Sequence, residues 1–397
     1  MSHRPFLPKS RPGASAFLPA GLLPGLFLPA LGLLLGAPAC SSSPPATGSG
    51  GALGSGGAAT TGGGPGSGGA STGGSASGGA PGTGGTLGSG GASGGGVGTG
   101  GEVGSGGSAG LSLVLPIEES ATSYRLEFGS YRFVVDPTQG ARVTEFSLGG
   151  TDLIIPVFEA GEALSGGSTF WTSPQADWSW PPIEAIDRSA YTPTVTGSTI
   201  DLLGGTGTVG TSTVHVEKSF TADLSAEAVD LVYEIHNEGS GAASLAPWEV
   251  SRLARGGLTF WPGAKAPGAG IRWDFEPTLL EGVYWWDDAA TAAADLLDHK
   301  VSSDGEEGWV AHVDGDLLFV KTWTPVATAD IALDHGEVEL YLGDGFIELE
   351  VQGPLAAIPA AGSSTFNVRW TVRTLPVGTD VSVGSAALLA AVDALVP

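Results

Sequence analysis

The chain has 397 residues, 41 of them acidic against 16 basic, for a formal net charge of −25, with 67 glycines and a single cysteine. So acidic a surface repels phosphate backbones and polyanionic glycans, which excludes nucleic acid as a partner and leaves neutral or cationic ligands. One cysteine excludes an intramolecular disulfide framework, so stability has to come from a packed core.

The first forty residues read as export machinery. Arg4, Lys9 and Arg11 form a basic leader ahead of an apolar run from Phe17 to Leu35. Pro19, Pro24 and Pro29 interrupt that run, which favours a cleaved signal over a spanning helix. The run ends LGAPAC, where small Ala37 and Ala39 precede Cys40. This ending resembles the lipobox of bacterial lipoproteins, although Ala37 stands where that family usually has Leu and Pro38 is unusual. The resemblance implies a signal peptide over 1–39, lipidation at Cys40, and export to the cell envelope with a lipid anchor at the outer membrane or cell surface. An ordinary signal peptide with an incidental cysteine is the other reading.

Residues 40–110 are almost wholly Gly, Ser, Thr, Ala and Pro, with Glu102 as the one charge and no aromatic side chain. Such a composition cannot bury a core and predicts a disordered tether, with a root-mean-square span of about 45 Å for a Gly-rich coil of this length. Residues 111–397 remain, enough for one large domain.

From Tyr124 the pattern alternates with period two. YRLEF and YRFVVD, separated by Gly129-Ser130, predict a hairpin. ARVTEFSL and DLIIP follow, and beyond them come TVTGSTIDLL, AVDLVYEIHN, SLAPWEVSRLA, LTFWP and IRWDFE. GWVAHV, GDLLFVKTW, GEVELYL, GFIELEVQ and STFNVRWTVRTL complete the series. Many short strands divided by Gly, Asn, Asp and Pro turns predict an all-β sandwich or barrel, without the fixed period of a propeller or solenoid. Two stretches break the pattern: Asp287 to Asp298, alanine-rich, and Ala386 to Val396, both read as helical.

One segment fits neither period. Leu164 to Pro182, LSGGSTFWTSPQADWSWPP, sets Trp171, Trp178 and Trp180 around Gln175 and Asp177. Indoles mixed with amide and carboxylate groups suit a flat ligand such as a sugar ring, stacked on its faces and fixed by its hydroxyls. A loop that plugs its tryptophans into the core is the competing interpretation.

Reagents for catalysis are few. There is no HExxH, CxxC, EF-hand or GxSxG pattern, so no metal site or cofactor is expected from spacing, although scattered carboxylates leave calcium open. Glu348 and Glu350 lie two apart in FIELEVQ and so share a face, where mutual repulsion raises the pKa of at least one. A general base needs this, and an exposed polar face of an edge strand is the alternative. Glu249, between Trp248 and Val250, is read either as a ligand contact or as a salt-bridge partner of Arg252.

Together these features resemble the galactose mutarotase-like superfamily, the aldose 1-epimerases and their relatives, over about Tyr124 to Leu375. IELEVQGP is similar to the family motif ending LETQ, which places the family's base at Glu350. LSGG at Leu164 to Gly167 is similar to LHGG, and NEGSGAASLAPWEV falls where a strand ending NHPYF is expected. Gly166, Gly167, Trp171, Pro174, Trp178, Trp180, Pro181 and Pro182 match the signature GGxxxWxxPxxxWxWPP of an uncharacterised mutarotase-like group. The resemblance implies a large antiparallel β-supersandwich. Ser165 and Ala246 stand where the epimerases place their ring-oxygen histidines, so simple epimerase activity is not expected. His236 and His312 are the nearby histidines that could substitute.

The function expected is therefore a tethered surface lipoprotein that binds a neutral carbohydrate or glycan. Trp171, Trp178, Trp180 and Trp261 are the expected platforms, with Gln175, Glu249, Arg252 and Glu350 as hydroxyl partners. Alternatives are a carbohydrate-active enzyme (epimerase, hydrolase or lyase) with Glu350 as base, and a structural or adhesive protein whose indoles are buried.

Overall fold

The computed structural model describes residues 113–120, 122–160, 163–268, 270–290 and 296–396. The expected signal peptide, the tether and Cys40 lie outside the described residues.

Alternation dictates the architecture. In Phe346–Gln352, Ile347, Leu349 and Val351 are fully buried and join the main core, while Glu348 and Glu350 point the other way. Val338–Leu342 does the same, with Val338, Leu340 and Leu342 inward and Glu339 and Tyr341 outward. Such strands need a second apolar face, and two antiparallel sheets supply it to each other.

The first sheet has twelve strands. Its order runs Leu113–Ser120, Ser123–Phe128, Tyr131–Asp136, Arg142–Leu148, Ser168–Ser173, Ala243–Ala254, Phe346–Gln352, Val338–Leu342, His299–Asp304 and Ala264–Lys265, with two short strands pairing off this path. The second sheet has eleven strands, centred on Trp309–Asp314, Leu317–Trp323, Ser363–Thr374, Ala228–Asn237 and Ser212–Asp223. Aromatic contacts lock the two together: Phe133 of the first meets Phe220 of the second at 5.4 Å, and Phe170 stacks on Tyr233 at 4.7 Å. The all-β supersandwich expected from the sequence is the fold observed.

The predicted hairpin forms over Ser123–Phe128 and Tyr131–Asp136, with Phe128 opposite Tyr131 and Gly129 at φ +57° in the turn. The terminal helix also forms, over Ala386–Asp393, capped by Ser385, and packs Leu388 and Val392 against the outer face of the second sheet. The other helical expectation fares differently. The strand Val283–Asp287 occupies its start, a turn follows through 290, and residues 291–295 lie outside the described residues.

Between the sheets sits a buried ion pair. Lys321 Nζ, on the second sheet, donates to Glu249 Oε2 and to the Leu349 carbonyl of the first, both at 2.6 Å. Ser168 and Ser251 each donate to Glu249 Oε1 at 2.7 Å. Burial pushes the Lys321 ammonium down, and the Glu249 charge acts against that shift. Breaking such a pair from one side leaves a charge buried without a partner. Lys321→Met is expected to cost about 3–5 kcal/mol in urea unfolding, and adding Glu249→Leu to recover most of it.

His312 gives a pH prediction. Its ring is buried with Thr259 Oγ1 2.9 Å from Nδ1, and burial lowers its pKa from 6.5 to about 4 despite Asp314 and Asp288. Below pH 6.5 the unfolded chain takes up a proton that the folded chain refuses until pH 4, so stability falls across that window. Thermal melts of wild type and His312→Gln should diverge there, the variant losing about 3 kcal/mol less between pH 6.5 and 4.

Candidate functional site

The outer face of the first sheet carries a cleft of about 1090 Å³. Each strand contributes the residues that alternation turns away from the core: Trp171 from Ser168–Ser173, Trp248 and Arg252 from Ala243–Ala254, Lys300 and Ser302 from His299–Asp304, Glu339 and Tyr341, and Glu348. Residues 174–180 of the Trp-rich segment form one wall, and Leu333, Asp334 and His335 stand in another.

The Trp-rich segment enters through two glycines no other residue could replace. Gly166 at φ +73° has the Pro156 carbonyl oxygen 2.0 Å from where a Cβ would lie, and Gly167 at φ +63° has the Val143 oxygen at 2.7 Å. That close approach lets Arg142 and Arg252 both reach the Gly166 carbonyl, at 3.0 and 3.4 Å. Beyond them Trp171 becomes a hub. It is 5% exposed, and Trp178, Trp180 and Trp248 surround it at 6.0, 6.1 and 5.1 Å, each steeply inclined to it. Its indole N–H donates to Asp187 Oδ1 at 2.8 Å, which also accepts from Thr169 Oγ1 and from Arg142, each at 2.9 Å.

Trp171 is thus a scaffold for the other indoles rather than a free platform. Trp178 is half-buried and donates to the Thr172 carbonyl at 2.8 Å. Trp180, 58% exposed, offers open ring surface. Both readings of the segment hold in part: one indole is plugged in, and the wall it supports faces the cleft.

Under the floor lies a chain of coupled charges. Lys300 Nζ is 2.5 Å from Glu339 Oε2 and 2.9 Å from Glu350 Oε2, and lies 4.8 Å from the Trp248 ring centre. Trp248 Nε1 donates to the same Glu350 Oε2 at 2.7 Å, while Glu350 Oε1 is buried without a hydrogen-bond partner. Burial drives the Glu350 carboxyl well above the usual range, Lys300 opposing and Glu339 and Glu348 reinforcing the shift. Burial acts on Glu339 in the same direction, but Lys300 and His335 outweigh it and hold that carboxylate ionised. Lys300, desolvated yet flanked by both acids, keeps its proton to higher pH than a free ammonium.

His335 joins this chain to the wall. The Gln175 backbone N–H donates to its Nε2 at 3.0 Å, and its Nδ1 lies 3.2 Å from Glu339 Oε1. Gln352 Nε2 lies 2.9 Å from the same Nδ1, and Gln352 Oε1 accepts from Ser173 Oγ at 2.6 Å. On the other flank Arg252 pairs with Glu348 at 2.7 Å and lies 5.4 Å from the Trp171 ring centre.

Among the residues singled out from sequence, Trp171, Gln175, Trp178, Trp180 and Arg252 line the cleft, and Glu350 lies directly beneath it. Two expected contributors are elsewhere. Glu249 shares its strand with Trp248 and Arg252 but has the opposite parity, which sends it into the inter-sheet pair with Lys321. Trp261 is fully buried in the core beside Tyr284, at 5.7 Å. His236 and His312 also lie off the cleft, both on the second sheet. Sequence reasoning missed Lys300, His335, Glu339, Trp248 and Asp187. A signal existed for two of them: Glu339 is an outward acid on the strand paired with FIELEVQ, directly opposite Glu350, and Lys300 is a rare cation in an acidic chain.

The fold and cleft together define an antiparallel two-sheet protein with an indole-walled, carboxylate-floored site on one sheet face. No family model and no curated protein matches the chain. Solved structures similar to it include a galactose mutarotase-like protein from Lactobacillus casei, at 9% identity over 66% of this chain and 100% of that one, with a TM-score of 0.45. A galactose mutarotase-like protein from Clostridium acetobutylicum matches at 11% identity over 67% of this chain and 99% of its own, TM-score 0.45. A galactose mutarotase related enzyme from Lactobacillus acidophilus matches at 8% over 66% and 100%, TM-score 0.44.

Asp187 tests how the indole wall is held. Arg142 is buried with its pKa lowered to about 10, burial outweighing the Asp187 charge. Asp187→Asn strips Arg142 of its counter-charge, and is expected to cost about 3–5 kcal/mol in urea unfolding and to change Trp emission before the main transition.

Proposed function

We propose that this protein binds a neutral carbohydrate in the cleft, presented from the cell surface by the lipid anchor at Cys40 and the glycine-rich tether. The observation that carries the reading is the pairing of open indole surface at Trp180 and Trp178 with a polar floor in a space of about 1090 Å³. That combination suits the apolar faces and hydroxyl edges of a sugar ring.

Charge supports a neutral ligand. Arg252 is paired with Glu348, Lys300 with Glu339 and Glu350, and Arg272 with Asp274 and Asp298. Among the described residues no cation in the cleft is free to hold a carboxylate or phosphate, and Asp177 and Asp334 add negative charge at the rim. Anionic sugars meet repulsion there.

Ser165 and Ala246 lack the acid group that aldose ring opening requires, which supports binding without simple epimerase activity. One observation favours a second reading, a carbohydrate-active enzyme: Glu350 keeps an unpartnered oxygen and a raised pKa beneath the floor, as a base acting near neutral pH needs. Wild type and Glu350→Gln separate the two. Turnover of an aldose or glycan by wild type that disappears in Glu350→Gln establishes the enzyme, whereas binding without turnover in both supports the receptor.

Titration against a panel of neutral glycans, followed by indole fluorescence, should give a saturable change. Trp180→Ala should weaken that binding about fivefold, the loss of roughly 1 kcal/mol of stacking. The absence of saturable binding to any neutral glycan contradicts the proposal.

A further inference from the structure

The strand Ser212–Asp223 buries Val214, Val216 and Phe220, so alternation projects His215 and Glu217 from the outer face of the second sheet. Its antiparallel neighbour, Ala228–Asn237, sets His236 directly opposite His215 and Glu234 opposite Glu217. Two imidazoles and two carboxylates thereby occupy the corners of a cross-strand square, on the sheet that does not carry the cleft. The two rings stack at 4.5 Å with only 2° between their planes. Glu217 Oε1 lies 3.5 Å from His215 Nε2 and 3.8 Å from His236 Nε2, and Glu234 Oε2 lies 3.6 Å from the same His236 nitrogen.

We propose that His215, Glu217 and His236 form a binding site for a divalent first-row transition metal ion of the zinc type, with Glu234 as a fourth ligand. Ligand-capable atoms of the first three residues all fall within 4.8 Å of one another. Around a tetrahedral ion with bonds of about 2.0–2.1 Å, donors stand roughly 3.4 Å apart, so the separations to Glu217 need only small closures. Mixed imidazole and carboxylate donors select zinc, cobalt, nickel or copper over calcium and magnesium.

Two further features point to a ligand. His236 Nε2 is buried yet has no hydrogen-bond partner, and it faces the carboxylates of Glu217 and Glu234. His215 Nδ1 lies 2.8 Å from Glu238 Oε1, the outer carboxylate contact that fixes a ligating histidine with its proton on Nδ1 and its Nε2 free. Parallel rings aim their lone pairs side by side, so binding has to turn both imidazoles toward Glu217. Both side chains are partly exposed, on the outer face of the sheet and away from the core.

The test is calorimetric titration of Zn2+ into tag-free, chelator-stripped full-length protein. One equivalent should bind, Glu238→Gln should weaken it about 10–100-fold, and His215→Ala and His236→Ala should each weaken it further. Absence of stoichiometric binding, or binding unchanged in the His215→Ala/His236→Ala double variant, overturns the proposal and leaves the square a ladder of His–Glu ion pairs. Should the variants fail to fold, Cu2+ electron paramagnetic resonance of wild type decides: hyperfine coupling to two nitrogens is expected, and an oxygen-only site refutes it.

Discussion

The interaction on which the rest depends is the buried pair between Lys321 and Glu249, because it joins the two sheets at one point and sets the parity of the central strand. With Glu249 directed inward, Trp248, Val250 and Arg252 must face outward, and the same alternation turns Glu348, Glu350, Glu339 and Lys300 onto that outer face. A one-residue slip would bury the floor of the cleft between the sheets and expose the core. Hydrophobic burial drives the sheets together, but it has no direction. The charge pair, with its two serine donors and the Leu349 carbonyl, is satisfied in one register alone.

Along its central strands the outer face of this sheet is also largely buried, as Trp248, Arg252, Glu339 and Glu350 show. Trp171, tied to Asp187 and surrounded by three other indoles, covers part of it, and the network of Lys300, Glu339, Glu350 and His335 fills the floor with mutually paired groups that leave Glu350 Oε1 unpartnered. Buried networks of this kind hold their geometry because each member loses its partner if another moves. The result is a rigid floor and a wall whose outermost indole, Trp180, remains open. On the proposed function, a ligand would meet fixed polar groups and the indole surface of Trp180 and Trp178, which is recognition by preorganisation rather than by closure.

Much of this was legible in the chain. Period-two alternation revealed the strands and the shared face of Glu348 and Glu350, since a pleated strand allows no other placement. The indole cluster stood out because neither helical nor strand period accounts for it. What alternation cannot supply is which of two faces a strand turns inward when both are buried. In SLAPWEVSRLA nearly every residue is buried, so Glu249 looked as available as Trp248, and its partner Lys321 lies 72 positions away. Trp261 misled for the same reason, as a polar-edged aromatic that the core absorbs whole. Lys300, His335 and Glu339 assemble only through strand order, which places His299–Asp304 beside Val338–Leu342. The His215–His236 square is likewise invisible to motif spacing, because its donors come from two strands in register and not from one helix or loop.

The central claim is that the wall raised on Trp171 receives a neutral sugar. It is tested most directly by two-dimensional NMR of protein labelled with 15N at its eleven tryptophans, titrated with neutral glycans. The account predicts that the indole resonances of Trp180 and Trp178 shift saturably, while those of buried Trp261, Trp285 and Trp370 stay in place. Indole resonances that do not move, or that move only for the buried tryptophans, would contradict it.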